Sequence, residues 1–142
     1  MPTDLQLKTM NAGHRLLLKI TGGRLGRTIA GMPSLELTTI GRKSGETRSV
    51  MLTAPIVDGD TIVVVASRGG DPTHPAWFLN LRDNPAVEVS LQQGPRHPMK
   101  ARIASADERA ALWPRVVAAY RAYASYQRKT AREIPLVLLT PA

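Results

Sequence analysis

Three short clusters in this 142-residue sequence bring together residue types suited to binding or chemistry. The first is Gly41-Arg42-Lys43-Ser44-Gly45, followed by Arg48. Three cations, a hydroxyl and two glycines in a tight turn suit a phosphate or a carboxylate, which needs close approach by backbone N–H groups and a forked guanidinium. Arg42 stands where a Walker A loop needs glycine before Lys43-Ser44, so the turn is not a nucleotide P-loop. The second cluster, Ala66-Ser67-Arg68-Gly69-Gly70, directly follows an apolar run. Glycines at the end of a strand let a flat ligand approach the backbone, and Ser67 adds a hydroxyl that donates or accepts. The third is Tyr120, Tyr123 and Tyr126, all three tyrosines of the chain. Spacings of three place them on one stripe of a helix, where they can stack on a planar ring and offer hydroxyls to it. Each cluster also has a plain structural reading: a solvated hairpin turn, a flexible loop, and a helix face packed on a sheet.

Other chemistries lack their residues. With no cysteine there are no disulfides, thiolate metal sites or cysteine nucleophiles, a composition that suits a reducing cytosol. His14, His74 and His97 have no metal-ligand spacing, so no metal is expected. Asp58 and Asp60 flank a turn glycine and are explained by the turn. Neither G-x-S-x-G nor G-x-G-x-x-G occurs. The net charge of +8 (pI about 10.6) is concentrated in residues 1–50 and 101–142. It draws an anionic partner: nucleic acid, anionic lipid or a polyanionic small molecule. Aromatic residues at 4% are too few for the interleaved basic and aromatic surface of a single-strand nucleic-acid binder.

The elements that must position these clusters follow from periodicity. Residues 3–21 read as an amphipathic helix capped by Thr3 and ended by Gly22-Gly23, and Arg24 to Pro33 as a basic connector. Strands are expected at 35–40, 48–56, 61–66, 86–91, 99–104 and 134–139. The run at 61–66 is apolar on both faces and should be central. Pro75 opens a short helix over 76–82 that holds Trp77 and Phe78. Ser105 to Glu108 is a capping box opening one long helix to about Lys129, kinked at Pro114. About six antiparallel strands with helices outside give an α+β fold, mainly β, in a small barrel or curled sheet. The division expected is 1–34 for the helix and connector and 35–142 for the sheet domain. Lys8, Arg15, Lys19, Arg24 and Arg27 give the first segment two readings: a helix packed on the barrel, which is the plainer one, or a basic helix that can rest on anionic membrane. No run approaches the ~20 apolar residues of a membrane span, and the N-terminus lacks a signal-peptide pattern, so a cytoplasmic protein is expected.

Taken in order, the segments resemble the deazaflavin-dependent nitroreductases and quinone reductases. The resemblance rests on Leu37 to Gly45 with Arg48, on Val65 to Gly70, and on His74 to Leu81 with Asn84-Pro85. It continues through Trp113-Pro114, the tyrosines and Gln127 to Ile134-Pro135. It implies a split β-barrel of the flavin-reductase type that binds coenzyme F420, an 8-hydroxy-5-deazaflavin whose tail carries a phosphodiester and several glutamates. In the family's pattern, Gly41, Arg42, Lys43, Ser44, Gly45 and Arg48 hold phosphate and tail. Met51, Ala66, Ser67, Arg68, Gly69 and Trp77 border the ring. Tyr120, Tyr123, Tyr126 and Thr53 face the acceptor, with Tyr126, Tyr123 or Ser67 as proton donor.

The implied activity is hydride transfer from reduced F420 to a quinone, a nitroaromatic or another conjugated acceptor, by a monomer or homodimer. A nitroimidazole-activating relative has tyrosine in the second strand where this chain has Thr53 or Ala54. Many members also have proline near Met51, which implies a differently shaped acceptor pocket here. Two other functions compete with this one: an F420 carrier without turnover, and an FMN-dependent oxidoreductase on the same barrel.

Overall fold

The computed structural model describes residues 28–142. The helix expected over 3–21, and the membrane contact expected through it, fall outside this range. Eight strands form one antiparallel sheet: β1 (Thr28–Ile29), β2 (Met32–Ile40), β3 (Thr47–Thr53), β4 (Ile56–Asp58), β5 (Thr61–Val65), β6 (Ala86–Leu91), β7 (Arg96–Ile103) and β8 (Leu136–Pro141). Three helices accompany them: α1 (Ala76–Asp83), α2 (Ala106–Ala119) and α3 (Ala122–Lys129). None is long and apolar enough to cross a membrane.

The main path of the sheet is β3–β2–β6–β7–β8–β5–β4, with β1 pairing the first residues of β2. β3 and β4 are therefore opposite edges, yet only Ala54 and Pro55 join them. So short a link forces the sheet to curl until its edges come near each other, giving a half-barrel. Side-chain alternation fits this shape. Leu35, Leu37, Ile62, Val64, Val87, Val89, Met99, Ala101, Val137 and Leu139 converge from five strands in one buried cluster. Trp77, Phe78 and Leu81 of α1 enter that same cluster, so α1 plugs the enclosed face. On the other face, Val63, Val65 and Leu136 pack with Val116 of α2 and Tyr123 of α3. β5 thus has both faces buried although it lies one strand in from the β4 edge, not at the centre.

Eight strands replace the six expected, for two reasons. β1 turns into β2 through Ala30 and Gly31, both at positive φ, a hairpin hidden inside the basic connector. The stretch 48–56 is two strands, because Pro55 has no N–H to continue the ladder. The single long helix is also corrected. Pro114 lies inside α2 without ending it, and the break falls at Tyr120, whose extended backbone (φ −155°, ψ 105°) separates α2 from α3. The capping box forms as expected, with Ser105 Oγ accepting from Glu108 N–H and the Glu108 carboxylate accepting from Ser105 N–H.

Candidate functional site

The cationic turn is built on internal bonds. Gly41 N–H donates to Glu46 O (2.7 Å), Gly45 N–H to Gly41 O (2.8 Å) and Glu46 N–H to Ser44 Oγ (3.2 Å). A side chain at Gly41 would meet Ser44 Oγ at 2.9 Å, and Gly45 has φ +74°, so both glycines serve the turn itself. Asn80 of α1, 4% exposed, reaches the turn from the enclosed face. Its Oδ1 accepts from Arg42 N–H (3.2 Å) and from Arg42 Nη1 (2.9 Å), while its Nδ2 donates to Thr39 Oγ1 (3.2 Å). The expected approach by backbone N–H groups narrows to two of them. Within the turn, only the N–H groups of Lys43 and Ser44 have no partner among the described residues. The attraction for an anion comes from side chains. Lys43 has no charged partner among the described residues, Arg48 makes an exposed 3.5 Å ion pair with Glu46, and Arg42 is pinned by Asn80. This donor set fits a polyanionic tail: three cations, one of them held rigidly, on an exposed turn.

The Ser67 loop is a left-handed run. Arg68, Gly69 and Gly70 have φ of 46°, 64° and 83° and form a single 3-10 turn. Arg68 pairs with Asp71 at 3.6 Å. The second glycine is required by packing on α3: a side chain at Gly70 would meet Tyr126 O at 2.8 Å. Sequence reasoning missed the residue that organises this loop, Arg132. Its guanidinium donates to Asp71 O (2.8 Å), Ala66 O (3.1 Å) and Ser67 O (2.8 Å), and meets His74 Nδ1 at 3.1 Å. Among the described residues the Ser67 hydroxyl has no partner.

The tyrosines remain neighbours but not on one helix. Tyr120 sits in the break, while Tyr123 and Tyr126 lie on α3. Their rings still form an edge-to-face row, Tyr120–Tyr123 at 5.2 Å and Tyr123–Tyr126 at 6.1 Å. Tyr123 is 6% exposed, and its hydroxyl shares a 3.2 Å hydrogen bond with Thr53 Oγ1. Burial pushes its phenol above the ordinary tyrosine range. Tyr126 is more open; burial, with the Tyr120 hydroxyl second, pushes its phenol up to about 12.

Met51 and Thr53 share one face of β3 with Ser49, whose Oγ meets Thr38 Oγ1 at 2.9 Å. That face leads from the cationic turn toward Tyr123. Thr53 lies five residue steps beyond Arg48, about 17 Å at ~3.3 Å per residue. Thr53, the tyrosines and the Ser67 loop gather around α3, and Gly41 to Arg48 stand at the far end of β3. Trp77 and Ala66 are buried in the enclosed core, with Trp77 at 9% exposure. Asn80, Gln127 and Arg109 were also missed as functional residues. Gln127 Oε1 accepts from Arg109 Nη2 (2.9 Å) and Ile134 N–H (2.9 Å), tying α2, α3 and the approach to β8 together.

The family model for the F420H2-dependent quinone reductases matches residues 13–141, so the chain belongs to that family. An F420H2-dependent quinone reductase of Mycobacterium tuberculosis is 40% identical over 133 residues, 89% of this chain and 87% of that protein. A solved F420H2-dependent reductase (FDR-A) superposes with a TM-score of 0.66 at 42% identity, covering 75% of this chain and 93% of its own. A solved structure described as a domain-swapped dimer has a TM-score of 0.66 at 36% identity, over 88% of this chain and 98% of its own.

Proposed function

We propose that this chain transfers a hydride from reduced coenzyme F420 to a quinone or similarly conjugated acceptor, on a split β-barrel of the flavin-reductase type. Membership of the F420H2-dependent quinone reductase family carries this reading. When bound, the deazaflavin ring supplies the two-electron chemistry. Everything else falls to the chain's own residues. Lys43 and Arg48, with Arg42 held by Asn80, take the anionic tail on the turn shaped by Gly41, Ser44 and Gly45. Met51 and the Ala66–Gly69 stretch border the ring, with Trp77 backing them from the core.

The acceptor side is walled by the tyrosine row and Thr53. A developing negative charge on the acceptor oxygen needs a donor that is still protonated at neutral pH. Tyr126, at about 12, meets that requirement. It ranks ahead of Tyr123 because it is the more open of the two, Tyr123 being 6% exposed and bonded to Thr53. The Ser67 hydroxyl is the second donor. A homodimer is the assembly favoured by the likeness to the domain-swapped relative, and the cysteine-free composition suits the cytoplasm.

Titration with F420, FMN and NADPH tests the cofactor, and oxidation of reduced F420 by a soluble quinone tests turnover. F420 should bind most tightly. Tyr126→Phe should lower kcat on the order of 10²-fold with cofactor affinity unchanged. Equal or tighter binding of FMN would overturn the proposal.

A further inference from the structure

Arg132 lies between α3 and β8 and belongs to neither. Four side-chain interactions, from three nitrogens, all reach one nine-residue stretch, Ala66 to His74. Three of the partners are main-chain carbonyls: those of Ala66 and Asp71 lie outside any strand or helix, and that of Ser67 also accepts from Gly70 N–H (3.0 Å) in the 3-10 turn. The fourth, His74 Nδ1, accepts only while that nitrogen carries no proton. The backbone of Arg132 is itself anchored to α3. Gln127 Nε2 donates to Arg132 O (2.8 Å), and Arg132 N–H donates to Thr130 Oγ1 (3.3 Å) just past the helix end. Gly70 closes the same joint from the other side by lying against the Tyr126 backbone. A planar fork with fixed donor directions can satisfy several carbonyls at once, which a lysine ammonium on a flexible stem cannot do.

We infer that Arg132 is a positioning residue: it clamps the Ala66–His74 segment to α3 and thereby sets where Ser67 stands relative to Tyr123 and Tyr126. The inference rests on the proposed roles of Ser67 and the tyrosines, but the clamp itself is a property of the ligand-free chain. Arg132 touches neither ring nor acceptor in this account. It acts through the loop carbonyls, and its loss lets the hydroxyl of Ser67 drift from the tyrosine row.

The test uses hydrogen exchange of ligand-free Arg132→Ala. The Gly70 and Asp71 amides, bonded to the Ser67 and Arg68 carbonyls, should exchange on the order of 10-fold faster or more as the loop opens locally, while β5 and β8 keep the wild-type rate. In the same variant kcat should fall on the order of 10²-fold, because small misplacements of reacting groups are costly. Affinity for F420 should fall far less than kcat, since the cationic turn is untouched and only the Ala66–Gly69 border of the ring is loosened. Millimolar guanidinium should restore part of both losses. If Arg132→Ala fails to fold, Arg132→Lys, which keeps the charge without the fork, should show the same local exchange. Unchanged exchange over 66–74, equal acceleration in β5 and β8, or full kcat with a loosened loop would each overturn the inference. A parallel Ser67→Ala variant separates the two readings. Full turnover there would remove Ser67 as donor, while the exchange result still decides whether Arg132 is the clamp.

Discussion

His74 shows how a residue that looked incidental in sequence acquires a defined electrostatic role. Burial, then the charges of Arg132 and Arg82, hold its pKa below the ordinary histidine value. Its ring also lies 4.8 Å from the Phe78 ring. The native state therefore binds a proton less readily than the unfolded chain, whose histidine titrates near ~6.5. The contribution of neutral His74 to stability is complete above that pH and declines as pH falls from it through the lowered native value. His74→Asn, which keeps an acceptor near the Nδ1 position but cannot titrate, should flatten the fall of Tm on the acid side of pH 6.5. An unchanged acid slope would remove His74 from the account. At this scale the sequence was informative only about residue type. The cations of the turn and the Ser67 hydroxyl were legible because their neighbours in sequence are also their neighbours in space. Asn80 and Arg132 were not, because their partners lie 38 and 58–66 residues away. A lone asparagine in a helix, or an arginine before a strand, carries no local sign of such a partner.

Elements were legible where local chemistry decides them and not where tertiary packing does. β6 and the start of α1 fall where alternation and Pro75 place them. The α2–α3 break does not follow from Pro114, since the helix runs through the proline and ends where Tyr120 turns to join the tyrosine row. The two glycine-bearing turns on either side of β5 give a direct comparison. Gly59 has φ +58° with open space around it, whereas Gly70 has φ +83° with Tyr126 O at 2.8 Å from any added side chain. Gly59→Ala should cost only the backbone strain of a left-handed residue, about 1–2 kcal/mol. Gly70→Ala adds a clash with main chain that cannot rotate away, for a total on the order of 3 kcal/mol. Urea denaturation of both variants checks the ranking. Equal losses would mean that the loop and α3 separate freely.

For the molecule as a whole, the net charge of +8 sets a field that any anion feels, while the turn sets where it binds. Lys43→Glu should weaken F420 binding strongly at low salt. The deficit should shrink as ionic strength rises and the screening length falls from ~10 Å at 0.1 M toward ~3 Å at 1 M. Lys100→Glu, an exposed position on β7, changes the net charge equally and should matter far less. Comparable losses from the two would assign binding to the overall field. The half-barrel that carries this turn has a further property, in the order of its strands. β8, the last of the eight to be synthesised, lies between β7 and β5. Until it emerges from the ribosome, the apolar β5 and the more polar β7 each wait with one edge unpaired, open to pairing with another chain. Closure of the sheet thus waits on β8, and a nascent chain that still lacks it is the form most open to aggregation and to chaperone capture.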